Sequence, residues 1–267
     1  MTNFRLPGSF SDAASFEARL KEIDPSLGCD PEPLDASGPM GQSIEAGGLT
    51  LSNRFAIHPM EGWDGTSDGL PSEATLRRWH RFGLSGAALL WGGEAFAVVP
   101  EGRANPNQLH QGSSDAAGEG LKELMATLLV GRGEAGVGDR DFLPGLQLTH
   151  SGRWSRPTPD GPSPRVAYRH PVLDARVGVD SDDAVFTDEE VAALPQKYAS
   201  AAVLASDAGF KFVDVKCCHG YLLHEFLSAR SRPGPWGGGF EGRTRLFRET
   251  VAAIREAVPG LEVGVRL

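Results

Sequence analysis

The chain has 267 residues, of which 40% are hydrophobic and 23% are charged, a balance typical of a globular protein with a sizeable core. A formal net charge of −9 without a block of Lys or Arg argues against a nucleic-acid-binding protein, so we expect small-molecule partners. The sequence lacks the apolar run of a signal peptide or membrane span, and we expect a cytoplasmic protein; a homo-oligomer stays open. Three cysteines, two of them adjacent, do not resemble a disulfide framework and should be reduced thiols.

Residues 1–48 are rich in Gly, Pro, Ser and Asp, and we predict an N-terminal extension that caps the following domain, with one short amphipathic piece at 16–23. From residue 49 to 267, short apolar runs alternate with helical patterns, which is typical of βα units around a parallel sheet. The predicted strands are 54–58, 87–91, 145–149, 211–216 and 261–266. The predicted helices are 71–83, 118–131, 187–209 and 240–258. In the third helix, Pro195 should either kink the helix or shift its start past the capping signal at Thr187 and Glu190.

The connections that follow the predicted strands are long, at 92–117, 151–186 and 217–239, whereas those that precede them are short. This asymmetry indicates an α/β barrel whose site is built from loops at the carboxyl ends of the strands. The stretch 151–186, which contains five prolines, is long enough to form a lid or a small subdomain.

Alternation within the strands predicts which side chains face the helices and which face the barrel interior. The outward set is Leu146, Leu148, Val213, Val215, Leu261, Val263 and Val265. The inward set is Gln147, Thr149, Phe212, Asp214, Lys216, Glu262, Gly264 and Arg266.

Gln147, Lys216 and Arg266 are the most informative inward residues, because they lie near the carboxyl ends of three successive strands. Lys and Arg are seldom buried without a partner, since desolvating a charge is costly. One explanation is a cation-lined cavity for an anionic or electron-rich ligand. The other is a filled barrel core in which these polar groups satisfy one another.

The segment after the fourth predicted strand combines two cysteines, two histidines and a tyrosine. Cys217 and Cys218 are adjacent and should point to opposite sides, so we expect small buried thiols rather than converging metal ligands. His219 and Tyr221 lie just beyond the strand and can point across the barrel mouth beside the inward lysine. We expect His224 to be structural or exposed. A metal-dependent barrel hydrolase that uses Cys218, His219 and His224 is the alternative.

Six segments together resemble the old yellow enzyme family of FMN-dependent oxidoreductases, near its 2,4-dienoyl-CoA reductase-like and amine dehydrogenase-like members. They are GGLTLSNRFAIHPM, GGEAFAVVPEGR, GLQLTHSGR, HGYLLHEFLS, GGGFEGRTR and VGVRL, in family order over residues 47–267. The resemblance implies a TIM (β/α)8 barrel with FMN on its C-terminal mouth, of which this chain matches the first five strands. Because the phosphate site of such barrels is built after strands seven and eight, we expect a truncated barrel that holds FMN weakly by itself.

The resemblance also implies the contacts of the flavin. The backbone around three consecutive residues and one small side chain should border the ring, a glutamine should bind its pyrimidine edge, and an arginine should lie near N1 and O2. In this sequence these residues are His58, Pro59, Met60, Ala95, Gln147 and Arg266. An iron–sulfur cluster is not supported, because no suitable cysteine cluster is present.

The family chemistry passes hydride from NADH or NADPH through FMN to an alkene conjugated to a carbonyl. By resemblance, Lys216 and His219 bind the carbonyl oxygen and Tyr221 donates the proton. Lys216 stands where most members have histidine, so it either polarises a carbonyl, binds a carboxylate or marks another substrate. Glu61 stands where members often have Cys or Thr, and its charge opposes reduced flavin unless Lys216 or another cation pairs with it. The alternative function is a noncatalytic barrel or binding protein that retains the family fold.

Overall fold

The computed structural model describes residues 5–30, 32, 34–46 and 48–267. The chain divides into two compact units, Met1–Gln42 and Ser43–Leu267. In the first unit, helix α1 (Ala13–Ile23) contains the predicted amphipathic piece at 16–23. It begins at Asp12, whose carboxylate accepts a hydrogen bond from the Ser15 backbone N–H at 2.7 Å, a common way to satisfy the free N–H groups of a first turn.

The second unit is built on parallel strands, preceded by an antiparallel hairpin of β1 (Ile44–Ala46) and β2 (Leu49–Leu51) that lies outside the predicted strands. The sheet strands run in the order β3-β4-β6-β7-β8, with β5 also paired to β6, and every pair is parallel. Their bounds are β3 Ala56–Ile57, β4 Leu89–Leu90, β5 Ala95–Ala97, β6 Leu143–Thr149, β7 Phe212–Lys216 and β8 Glu262–Arg266.

Strands β4 and β5 are two parts of one barrel strand, since both pair with β6 at successive positions. Between them Gly92 and Gly93 have φ of +103° and +47°, a backbone region that interrupts a strand and favours glycine. The predicted loop at 92–117 is therefore wrong over Ala95–Ala97. With β4 and β5 counted together, the parallel strands occupy the five predicted strand positions.

Helices connect these strands, as predicted. Helix α2 lies between β3 and β4, α3 between β5 and β6, α5 between β6 and β7, and α7 between β7 and β8. The helices of this unit are α2 Glu73–Leu84, α3 Ser114–Glu134, α4 Pro171–Val177, α5 Asp188–Asp207, α6 Leu222–Leu227 and α7 Phe240–Ala257. None of the helices in the described part of the chain is both long and apolar enough to cross a lipid bilayer.

Helix α5 begins at its capping signal. The Thr187 hydroxyl accepts from the Glu190 N–H at 3.2 Å, and the Glu190 carboxylate accepts from the Thr187 N–H at 2.8 Å. The helix then continues through Pro195, so the alternative of a shifted start is wrong. Proline removes one helical hydrogen bond, but buried side chains on both sides of it, such as Val191 and Tyr198, hold the helix in the core.

The apolar core lies between the sheet and these helices. Leu146, Leu148, Val213 and Val215 have no exposed surface and belong to this core, together with helical residues such as Trp79. The outward set predicted for β6 and β7 is confirmed. The opposite face of the same strands lines the barrel interior.

The segment 151–186 contains α4 and is held against α6 by buried ion pairs. Arg153 donates from Nε to the Glu225 carboxylate at 2.7 Å and forms an ion pair with Asp174 of α4. Glu225 also accepts from the Ala167 N–H at 3.1 Å. All three charged side chains are at most 7% exposed, so the anchor lies inside the protein.

Candidate active site

The interior face of the sheet carries its side chains at successive levels along the strands. Strand register places Gly145 beside Phe212 and Glu262 at the lowest level. One step toward the carboxyl ends, the register aligns Ala95, Gln147, Asp214 and Gly264. At the last step, Ala97 pairs with Thr149 and Lys216 pairs with Arg266. Lys216 and Arg266 therefore lie one level closer to the mouth than Gln147 and Asp214.

The floor of this interior is aromatic. The rings of Trp91 and Phe212 lie 5.2 Å apart, and a side chain at Gly145 would come within 2.2 Å of the Phe212 ring. A Cβ at Gly264 would lie 3.2 Å from the Trp91 ring. The two rings and the two glycines therefore fit one another. Trp91 was not among the predicted site residues, because it ends an apolar run without any pattern of its own.

Above the floor, Gln147 and Asp214 form a buried pair. The Gln147 amide donates from Nε2 to Asp214 Oδ2 at 2.6 Å, and the two residues are 1% and 0% exposed. Burial raises the pKa of Asp214. Among the described residues, Asp214 Oδ1 has no hydrogen-bond partner of normal geometry. The pair fixes the orientation of the glutamine amide and leaves acceptor atoms for a ligand.

The predicted flavin-bordering residues meet beside Gln147. A Cβ at Gly92 would lie 3.0 Å from the Cβ atoms of both Pro59 and Gln147, so these three residues are in close contact. The Met60 carbonyl accepts from the Ala95 N–H at 2.8 Å, and the Ala95 side chain is fully buried. His58 follows β3 with an exposed side chain.

Lys216 lies at the mouth in an ion pair with Glu61. The lysine side chain is 2% exposed and the glutamate side chain 23% exposed, so the pair is mostly withdrawn from water. Lys216 Nζ also lies 4.1 Å from the centroid of the Tyr221 ring, a favourable cation–π distance. The cation that pairs with Glu61 is therefore Lys216, one of the two possibilities that the sequence left open.

His219 and Tyr221 complete the cluster at the mouth. Their ring centroids are 6.1 Å apart with planes at 81°, and His219 has a φ of +61° in the tight turn after β7. Burial, followed by the nearby Glu61 carboxylate, raises the pKa of Tyr221. Burial and the Lys216 ammonium lower the pKa of His219. Near neutral pH, the phenol is thus protonated and the imidazole neutral, and both can donate hydrogen bonds.

His224 supports this turn. Its Nδ1 accepts from the Gly220 N–H at 2.8 Å, while the side chain is exposed. Cys217 is fully buried in the core, and burial raises its pKa to about 12, so it is an unreactive thiol. Within the described ranges, no group of three or more His, Cys, Asp or Glu side chains is arranged to hold a metal ion.

A second group of residues holds Glu61 in place. The Gly62 N–H donates to the Glu94 carboxylate at 3.0 Å, and the Gly62 carbonyl accepts from Asn105 Nδ2 at 3.1 Å. Glu94 is itself fully buried and accepts from Arg78 at 2.9 Å. None of these supporting residues was predicted. Their contacts join distant loops, so no local sequence pattern marks them.

A parallel α/β sheet with polar side chains gathered at the carboxyl ends of its strands is the arrangement of barrel-type proteins, whose ligand sites lie at that end. Residues 40–267 match the model of the NADH:flavin oxidoreductase / NADH oxidase family, and the chain belongs to this family. The resemblance to the old yellow enzyme family and the predicted α/β barrel class are thereby confirmed.

Relatives with known names agree with this membership. The chain is 30% identical over 220 residues to an NADPH dehydrogenase of Geobacillus thermodenitrificans, covering 80% of this chain and 58% of the relative. It is 31% identical over 217 residues to an NADPH dehydrogenase of Bacillus velezensis, covering 79% and 58%. The chain thus spans 58% of the length of these curated relatives.

Solved structures show the same fold. Morphinone reductase superimposes with a TM-score of 0.67 at 25% identity, over 86% of this chain and 62% of that one. An old yellow enzyme from Pichia sp. AKU4542 gives a TM-score of 0.68 at 25% identity, over 87% and 60%.

The described residues fit the ring system of FMN. Gln147 offers an amide edge next to the unpartnered Asp214 oxygen, and Gly92 and Ala95 leave no side-chain bulk beside it. Arg266 is half-buried on the last strand, and its side chain makes no hydrogen bond or ion pair within the described ranges. Hydrogen-bonding edges and a cation are the groups that a flavin pyrimidine requires.

Proposed function

We propose that the protein is an FMN-dependent oxidoreductase that uses NADH or NADPH to reduce an alkene conjugated to a carbonyl. The observation that carries the proposal is the cluster of Lys216, Glu61, His219 and Tyr221 at the mouth, one level above the Gln147–Asp214 pair. The lysine, whose charge Glu61 compensates, can polarise a carbonyl by donating a hydrogen bond to its oxygen. The protonated phenol beside it can supply a proton. Dienoyl-type thioesters are the narrower substrate candidate within this class.

When bound, FMN supplies hydride transfer between a nicotinamide and the alkene. Gln147 would hold the pyrimidine edge, because its amide orientation is already set by Asp214. Arg266 would place positive charge at N1 and O2. Pro59, Met60 and Ala95 would border the ring.

The residues at the mouth would act on the substrate. Lys216 and His219 would donate hydrogen bonds to the carbonyl oxygen, which stabilises the negative charge that gathers there during the reaction. Tyr221 would deliver a proton to the α-carbon, since its raised pKa keeps the phenol protonated at neutral and mildly alkaline pH. The phenol is partly buried, so bulk water competes poorly for this role.

The first test is the binding of FMN to the purified chain. The quenching of flavin fluorescence measures this binding. We expect saturable binding that Gln147→Ala and Arg266→Met each weaken about tenfold, the usual effect of losing one hydrogen bond or charge at a binding site. The dissociation constant also tests the expectation that residues 1–267 hold FMN weakly. A lack of saturable binding would remove the flavin from the proposal.

The second test separates an enzyme from a noncatalytic binding protein. Under anaerobic conditions, NADPH or NADH should bleach the bound flavin, and 2-cyclohexen-1-one should restore its colour. Tyr221→Phe should slow the second step about 100-fold or more and leave the first step unchanged, because only the second needs the proton. A flavin that binds but is not bleached by either nicotinamide would favour the binding protein.

A further inference from the structure

We propose that Glu61 is a specificity-determining residue, whose carboxylate cancels the charge of Lys216 and excludes ligands that carry a carboxylate from the mouth. The proposal rests on the proposed function only in taking the space beside Lys216, His219 and Tyr221 as the place where a substrate carbonyl binds. It decides between two roles that the sequence left open for Lys216, polarising a neutral carbonyl or binding a carboxylate.

The ion pair itself is the first argument. The Lys216 side chain is 2% exposed, so its ammonium has little water to stabilise it and depends on Glu61 as its counter-charge. Glu61 is more exposed than its partner, at 23%, and therefore lies on the solvent side of the pair. An incoming ligand meets the glutamate before it reaches the lysine.

The position of Glu61 is fixed on both sides along the chain. The carbonyl of Met60 accepts from the Ala95 N–H at 2.8 Å. The N–H of Gly62 donates to the buried Glu94 at 3.0 Å, and any Cβ at Gly62 would lie within 2.8 Å of that carboxylate. Because the backbone cannot shift easily, a ligand carboxylate cannot displace Glu61 without leaving it close to a like charge.

The remaining side chains of the cluster do not add positive charge. Tyr221 presents a phenol, and His219 presents an imidazole whose protonation is opposed by Lys216. A ligand carboxylate would thus meet a lysine already neutralised and a carboxylate beside it, which is repulsive. A neutral carbonyl can instead share the ammonium, which carries more N–H donors than Glu61 uses. Arg266, paired in register with Lys216, is a further cation on the neighbouring strand and must be controlled for.

The experiment compares benzoate with benzamide, two planar ligands of similar shape that differ in charge. Their binding is measured by titration calorimetry to the full chain, with and without saturating FMN. The unmodified protein should bind benzamide at least about tenfold more tightly than benzoate. Glu61→Gln should tighten benzoate binding at least about tenfold and change benzamide binding less than about threefold.

Two further variants locate the effect. The double variant Glu61→Gln with Lys216→Met should lose the gain in benzoate affinity, whereas Glu61→Gln with Arg266→Met should keep it. Urea unfolding checks that each variant is folded, and Glu61→Ser replaces Glu61→Gln if the latter does not fold. If neither variant folds, the ratio of the dissociation constants of benzoate and benzamide for the unmodified protein decides whether the proposal holds.

The proposal is overturned if benzoate binds the unmodified protein as tightly as benzamide. Benzoate binding to Glu61→Gln that is no tighter than to the unmodified protein also overturns it, as does a gain that survives the loss of Lys216. These outcomes are measured without turnover. Failure of FMN to bind would refute the proposed function, while the FMN-free titrations would still decide the role of Glu61.

Discussion

The two faces of strands β6 and β7 show how one stretch of sequence serves two purposes. On the outer face, Leu148 and Val213 are fully buried against helices and make no polar contact. On the inner face, their immediate neighbours Gln147 and Asp214 form a buried hydrogen-bonded pair with an unused oxygen. Substitutions on the outer face should therefore change folding stability, and those on the inner face should change ligand binding.

The largest effect should come from the outer face. Leu148→Ala should lower the free energy of unfolding by about 2–5 kcal/mol, because it leaves a cavity in a packed core. Leu84→Ala is the matched control, since Leu84 is 43% exposed and should change stability by less than about 0.5 kcal/mol. Urea denaturation followed by circular dichroism measures both. If folded Leu148→Ala lost FMN affinity without losing stability, the assignment of stability to the outer face and ligand binding to the inner face would be wrong.

The inner face should respond in the opposite way. Asp214→Ala removes the acceptor that orients Gln147 and should weaken FMN binding about 10- to 100-fold, the range for a hydrogen bond to a charged group. Asp214→Asn keeps an acceptor and should weaken binding less than about threefold. Fluorescence titration gives both dissociation constants. Equal losses in the two variants would show that charge, not orientation, is the contribution of Asp214.

A pH experiment extends the comparison of the two faces to His150. This residue directly follows β6 at the mouth and continues its outer face. Burial lowers the pKa of His150 to about 3, so the folded protein resists its protonation and the unfolded chain does not. Its contribution to stability is complete above the unfolded pKa of about 6.5 and is lost as pH falls from there toward 3.

Between pH 7.5 and 5.0, the unmodified protein should therefore lose about 2 kcal/mol more than His150→Asn. Asparagine retains an acceptor for the Gly152 N–H, which His150 Nδ1 now accepts at 3.0 Å. His110, whose pKa burial lowers to about 4, titrates in both proteins and cancels. Urea midpoints at the two pH values measure the difference, and parallel losses in the two proteins would contradict this account.

The smallest effect should separate the two histidines of the turn after β7. His224→Ala removes the acceptor for the Gly220 N–H and should cost about 0.5–1.5 kcal/mol of stability, with benzamide binding unchanged. His219→Gly should weaken benzamide binding without a loss of stability, because the backbone of His219 has a positive φ that glycine adopts freely. Reversed outcomes would exchange the roles of the two residues.

The sequence was sufficient for the parts of the fold that depend on local periodicity. Alternating apolar residues predicted the facing of β6 and β7, and the capping signal at Thr187 predicted the start of α5. Strand β5 was missed because Gly92 and Gly93 interrupt the apolar run. The hairpin of β1 and β2 was missed because its strands are too short to show a pattern.

The site was predictable only in part, for a physical reason. Residues near one strand end, such as Lys216 and Tyr221, could be grouped from their spacing. The pairing of Lys216 with Glu61 spans 155 positions, and only the family resemblance placed these two residues near each other. The hydrogen bond from Gly62 to Glu94 and the one from Gln147 to Asp214 are tertiary contacts, which the periodicity of the sequence cannot predict.

The buried anchor at Arg153 has a consequence for redesign of the protein. Helix α6 starts directly after Tyr221 and carries Glu225, which binds Arg153 of the 151–186 segment. Any change that loosens this anchor would displace Tyr221 as well. Exposed positions of the segment, such as Val172, are therefore the ones where substitutions should leave this anchor, and with it Tyr221, in place.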